Sequence, residues 1–179
     1  MNLTRRHFNT LMAIGLTTLT GPRIAQAQAY ENLAWEKMIP KDWQPDKSLA
    51  MLQKRMGFLP DGDPTVVALM EKMRTIWDNA PTVAALNGKR IRIAGFALPL
   101  DTTPGKVKSM LLVPYFGACV HTPPPPANQI ILASSLKPLD VEMMSPVWLS
   151  GTLSTERSTT DSGISGYSLK IEKMEPYKD

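Results

Sequence analysis

Gly88-Lys-Arg-Ile-Arg-Ile-Ala-Gly-Phe-Ala-Leu-Pro-Leu100 is the stretch at which the pattern of the chain changes. Ile91, Ile93 and Gly95 alternate with Arg90, Arg92 and Ala94, a period of two that belongs to a half-buried strand and not to a helix. Phe96 to Leu100 carries this strand into the turn Asp101-Thr-Thr-Pro-Gly105. Four more runs follow: Val107 to Val113, Gln129 to Ser134, Val147 to Leu153, and Ile164 to Met174, the last with Tyr167, Leu169 and Ile171 on one face. Five strands separated by turn signals predict a small closed or partly closed barrel, and the glycine inside Trp148-Leu-Ser-Gly-Thr152 fits a bend at a barrel corner. The expected class is α+β, a small five-stranded OB-like β-barrel preceded by an N-terminal helical segment.

Upstream of the barrel the signals are helical or irregular. Asp63 is placed as an N-cap and Pro64 in a first turn, and Val66, Leu69, Met70, Met73, Ile76 and Trp77 recur at three- and four-residue steps, which predicts a helix ending near Asn79. A shorter helix is expected from Asp46 to Met56, with Gly57 as its stop. Tyr30 to Pro45 has no sustained period and reads as an ordered arm carrying Trp35, Met38, Ile39 and Trp43. The expected organisation is 1–27 as an export signal, 28–85 as arm and helices, and 86–179 as the barrel, with 28–179 forming one globular domain.

The N-terminus supplies an address. Thr4-Arg5-Arg6-His7-Phe8 precedes an apolar run from Leu11 to Leu19 and the small-residue triplet Ala25-Gln26-Ala27, which reads as a twin-arginine export signal cut after Ala27. Ala29 is the next candidate for the cut, and an ordinary secretory signal is the alternative route. The apolar run is shorter than the roughly 20 residues of a membrane span, and no later segment is longer and as apolar, so a soluble periplasmic protein is expected. Loss of the leader removes Arg5, Arg6 and Arg23 and no acid, and the 20 basic and 16 acidic residues become 17 and 16. A near-neutral mature chain lacks the basic footprint of a nucleic-acid binder.

Candidate chemistry concentrates in Val113-Pro-Tyr-Phe-Gly-Ala-Cys-Val-His-Thr-Pro-Pro-Pro-Pro-Ala-Asn-Gln129. Cys119 is the only cysteine, and His121 is the only histidine outside the leader. In extended backbone two residues at i and i+2 share a face with Cα atoms roughly 6.6 Å apart, so thiolate and imidazole could meet one atom. That donor pair suits zinc or copper(I), with Met110, Met143, Met144, carboxylates, water or a partner's side chains completing the coordination. Tyr115, Phe116, Asn128 and Gln129 are the candidate supporting groups or binding surface. A lone cysteine cannot form an internal disulfide, so Cys119 is buried, metal-bound or reactive toward another molecule. Pro123 to Pro126 cannot donate ladder hydrogen bonds and should hold a polyproline II rod.

On Gly95 to Leu100, Leu112 to His121 with the prolines and Asn128-Gln129 after it, and Val147 to Gly151, the chain resembles a family of exported bacterial proteins defined as a domain of unknown function. The resemblance covers about Leu86 to Tyr177. It implies export, frequent lipid anchoring, and association of some members with membrane transport systems, with no established reaction. This chain departs from the lipid-anchored members in having no lipobox cysteine. The reading is a periplasmic binding or accessory protein, linked to a membrane transporter component and to zinc or copper handling. The alternative is a small enzyme using Cys119 as a nucleophile with His121 as its base.

Overall fold

The structure is a computed structural model, and it describes residues 29–45, 54, 63–101, 103, 107–117 and 125–178. Eight strands are present among these: β1 (Glu31–Asn32), β2 (Arg90–Pro99), β3 (Val107–Val113), β4 (Ile131–Leu139), β5 (Pro146–Ser154), β6 (Ser158–Thr160), β7 (Gly163–Ser165) and β8 (Tyr167–Pro176). One described α-helix, α1 (Pro64–Asp78), precedes the barrel.

Five of the strands close on themselves. Their order is β2-β3-β4-β8-β5, and β5 returns to pair with β2 over Arg90↔Thr152 to Phe96↔Pro146. All of these pairings are antiparallel except β4 with β8, which run parallel from Ile131↔Tyr167 to Ser134↔Lys170. The alternation read from β2 is the one the barrel uses, because Ile91 and Ile93 are fully buried while Arg90, Arg92 and Ala94 lie on the outer face. Ile91, Ile93, Met110, Leu112, Ile131, Ala133, Leu149, Leu153 and Leu169 fill the interior. Each large aliphatic side chain in that set contributes roughly 1.5–3 kcal/mol by leaving water.

Gly151 is the corner that the sequence signalled. The β5–β8 register shifts between Ser150 and Gly151, and a Cβ at Gly151 would stand 1.9 Å from the Lys170 carbonyl oxygen. Only glycine lets the two backbones approach that closely while the sheet turns.

Three strand boundaries differ from expectation. The third barrel strand begins at Ile131 and runs on to Leu139, past a register shift that lets Val107 pair with Leu139. Gln129 belongs instead to a 3-10 turn at Ala127–Gln129. The fifth strand starts at Tyr167, and Ile164 and Ser165 belong to a separate β6–β7 hairpin whose register is Ser158↔Ser165.

The protein is mostly β, which corrects the α+β expectation. Residues 29–45 are held by a two-residue parallel pairing of β1 with β2 and a single 3-10 turn at Trp35–Met38, since no periodic apolar stripe supports a longer helix there. The expected helix at 46–56 lies outside the described residues except for Lys54. α1 does form where the spacing placed it: the Asp63 carboxylate accepts from the Thr65 N–H at 2.7 Å, the Thr65 hydroxyl and then that N–H hold the acid below its ordinary pKa, and Asn79 ends the helix by bonding the Thr75 carbonyl. Leu69, Met73, Ile76 and Trp77 form a satellite cluster on its apolar face. Among the described residues no helix is long and apolar enough to cross a membrane.

The arm is fastened by hydrogen bonds as well as by packing. Met38 is fully buried in the barrel cluster, and its carbonyl accepts from the Tyr167 hydroxyl at 2.8 Å. The same hydroxyl accepts from the Val83 N–H at 2.7 Å, so one buried phenol joins the arm, the approach to β2 and the start of β8.

Candidate functional site

The connection from β3 to β4 holds the residues singled out for chemistry. β3 ends at Val113, where Pro114 offers no N–H to continue the ladder. Tyr115 and Phe116 then emerge, 45% and 69% exposed, and the Phe116 ring meets Phe96 edge-on with centroids 5.8 Å apart. Gly117 turns the chain with φ of +82°, a region that side chains with a Cβ rarely adopt. Cys119, His121, Pro123 and Pro124 lie outside the described residues.

The chain re-enters at Pro125. Asn128 is fully buried, donating from Nδ2 to the Pro81 carbonyl at 3.0 Å, and Gln129 donates from Nε2 to the Trp35 and Asn128 carbonyls, both at 3.0 Å. These two amides therefore fasten the arm and the approach to β2 to the turn that begins β4. Oδ1 of Asn128 is buried and has no hydrogen-bond partner among the described residues. A buried acceptor left unpaired costs about 1–3 kcal/mol, so a donor from outside the described residues would be favoured at this oxygen.

Of the methionines considered as further ligands, Met110 is enclosed in the barrel core, Met144 is buried and Met143 is 60% exposed. Among the described residues no group of three or more His, Cys, Asp or Glu side chains could hold a metal ion.

A second feature joins residues that are far apart in sequence. On the outer face of β2, Arg90 lies 4.4 Å from the Tyr30 ring centroid and 2.6 Å from Glu172, which also accepts from the Tyr30 hydroxyl at 2.9 Å and the Thr152 hydroxyl at 3.1 Å. The Tyr30 hydroxyl and then the Arg90 guanidinium hold the Glu172 carboxyl below its ordinary pKa. One step along, the Arg92 guanidinium lies 4.1 Å over the Trp148 ring, which stacks on Tyr177 at 5.7 Å. Next, Trp35 donates from Nε1 to the Ala94 carbonyl at 2.7 Å and stands as a ridge between two grooves. A groove of about 330 Å³ lies among Trp35, Phe96, Pro114, Pro146 and Tyr177. Another of about 350 Å³ lies among Leu33, Trp35, Glu36 and Trp148. This aromatic wall continues through Phe96 to the exposed Phe116, so it borders the first half of the β3–β4 connection. Its sequence signal was the outward parity of Ala94 and Phe96; Trp35, Trp148 and Tyr177 could be gathered only by the register of the sheet.

Residues 35–176 match the family described as Protein of unknown function (DUF3299). The chain belongs to that family. A solved DUF3299 family protein from Pseudomonas aeruginosa PAO1 is 30% identical with a TM-score of 0.64, covering 85% of this chain and 99% of its own length. A "putative aspartyl-tRNA synthetase" from Leishmania major Friedlin, 17% identical over 74% of this chain and 26% of its own, has a TM-score of 0.35 and carries no argument. No curated protein matches this DUF3299 member.

Proposed function

We propose that this DUF3299 member is an exported periplasmic binding or accessory protein that serves a membrane transporter and carries zinc or copper on the connection between β3 and β4. The barrel is read as OB-like because its third and fifth strands run parallel and its first strand closes on the fourth, an arrangement suited to presenting loops at one end as a recognition surface. Arg5, Arg6 and the Ala25-Gln26-Ala27 triplet support export, with 28–179 as the mature domain.

The observation that supports the metal reading is the Oδ1 of Asn128, buried and without a hydrogen-bond partner among the described residues. It stands seven residues after His121 in sequence. An imidazole N–H donated to that oxygen would relieve the unpaired acceptor and fix the ring so that its other nitrogen faces a metal shared with the Cys119 thiolate, the outer-shell device by which histidine ligands are oriented. Two protein ligands leave the coordination open to water or to a partner's side chain, which suits a protein that hands an ion on. The aromatic wall of Trp35, Phe96 and Tyr177 beside Tyr115 and Phe116 supplies a face for the transporter component.

Thiol labelling of the folded, metal-free protein across pH separates this from the alternative cysteine-dependent enzyme. The proposal expects labelling of Cys119 that zinc or copper(I) suppresses in the wild type and suppresses far less in His121→Ala. A strongly depressed thiol pKa without metal, together with labelling indifferent to both ions, would replace it with the nucleophile reading.

A further inference from the structure

At the far end of that connection, whose Pro125 and Ile130 line it, α1 and the β6–β7 hairpin enclose a cleft of about 470 Å³, within the size range of small-molecule sites. Met70, Met73 and Trp77 form one wall from successive turns of α1, and Ile164, Ile130 and Pro125 form the other. Both walls are held in place. Arg157, between β5 and β6, donates to the Asp78 carbonyl and, at 2.8 Å, to the Ala80 carbonyl, where the partial negative charge of the helix end favours a cation. The tip of the hairpin is braced by the Thr160 hydroxyl, which donates to the Gly163 carbonyl at 2.9 Å.

The charges at the mouth are unequal. Arg74 lies 3.6 Å from Asp78 one helical turn on, and Asp161 on the hairpin turn adds a second carboxylate to the lining. Among the lining side chains two acids therefore accompany one base, with Arg157 behind the helix end, and Asp161 is the carboxylate without an ion pair among the described residues, beside an apolar interior with a tryptophan in its wall. The surface of an indole ring attracts cations, and thioethers and branched aliphatic side chains accept flexible apolar bodies. An anionic head group would meet Asp161 unfavourably, whereas an ammonium head would find both a carboxylate and the Trp77 ring.

The geometry points to a binding site for a small amphipathic cation, an ammonium group on an apolar body, in the cleft between α1 and the β6–β7 hairpin. This site is separate from the metal reading and stands or falls without it. The test is calorimetric titration of the full mature chain with decyltrimethylammonium, decyl sulfate and decyl maltoside, each kept below its micelle concentration, with tryptophan fluorescence as a second readout. The site predicts saturable one-to-one binding of the cation with at least a tenfold preference over the sulfate. Asp161→Asn, on an exposed turn, should erase that preference while leaving maltoside binding unchanged. Met70→Arg, at a 42% exposed position in the wall, should remove cation binding with the fold intact. Absence of saturable binding, equal affinity for the three head groups in the wild type, or a preference that survives Asp161→Asn would overturn it.

Discussion

Replacing Tyr167 by Phe removes one oxygen and no packing volume, yet it should weaken the protein substantially. The hydroxyl donates to the Met38 carbonyl at 2.8 Å and accepts from the Val83 N–H at 2.7 Å, and the ring is fully buried. Loss of the hydroxyl strands the buried Met38 carbonyl and takes its partner from the part-buried Val83 N–H. At about 1–3 kcal/mol for each stranded group, and with some relaxation, the expected loss is about 2–4 kcal/mol. For a domain of this size that corresponds to a fall in Tm of roughly 5–15 °C. The pH profile carries the same signature. Burial pushes the phenol pKa of Tyr167 up, so in the native state it stays neutral where the unfolded chain has begun to ionise. The unfolded state then binds fewer protons, and stability falls with rising pH from about 10, the ordinary tyrosine value, until the folded group itself ionises. Chemical denaturation across pH 8–11 measures both effects. Hydrogen exchange should also show residues 29–45 opening far more readily in Tyr167→Phe. A variant within about 0.5 kcal/mol of wild type, with arm amides still protected, would refute the assignment of this phenol as the fastening between arm and barrel.

Gly151→Ala should cost roughly 3–5 kcal/mol in denaturant titration, because the added carbon would overlap the Lys170 carbonyl oxygen and the corner could yield only by breaking ladder bonds. A change below about 1 kcal/mol would count against the closed corner. Asp101 accepts from the Lys108 and Ser109 N–H groups at 2.7 and 2.8 Å, which lowers its pKa. Its contribution is present above the unfolded carboxylate value near 3.9 and disappears as pH falls through the folded one, so Asp101→Asn should flatten that part of the acid unfolding limb. Replacing Arg5 and Arg6 together by lysine should leave precursor in the cytoplasm, as fractionation would show, and undiminished export would exclude the twin-arginine route.

The barrel was legible because its signals are local. The period of two in Arg90 to Gly95, the turn residues from Asp101 to Gly105 and the glycine at 151 each bear on one backbone neighbourhood. The β6–β7 hairpin was not, since Ser158-Thr-Thr160 and Gly163-Ile-Ser165 carry almost no apolar alternation, and only the intervening Asp161-Ser162 advertises a turn. Pro138 inside β4 masked the length of that strand, which is set by pairing with β3 and not by its own pattern. Of the groups proposed from sequence for a site, Tyr115 and Phe116 reach the surface, while Asn128 is buried and Gln129 half-buried, and both amides donate to backbone carbonyls. Sequence gives no means of foreseeing that, because amide side chains serve a buried turn and an exposed site equally well. The cleft beside α1 was hidden for a related reason: the stripe of Met70, Met73 and Trp77 predicts an apolar face without saying how closely it will be covered.

Whether the Cys119 and His121 pair holds a zinc or copper ion, as proposed, is read from elemental analysis of untagged protein purified from the periplasm. About one equivalent of zinc or copper per chain is expected, lost in Cys119→Ser and sharply reduced in His121→Ala. Metal-free wild-type protein that also gives no calorimetric response to zinc or copper(I), with Cys119→Ser as stable as wild type, would contradict it.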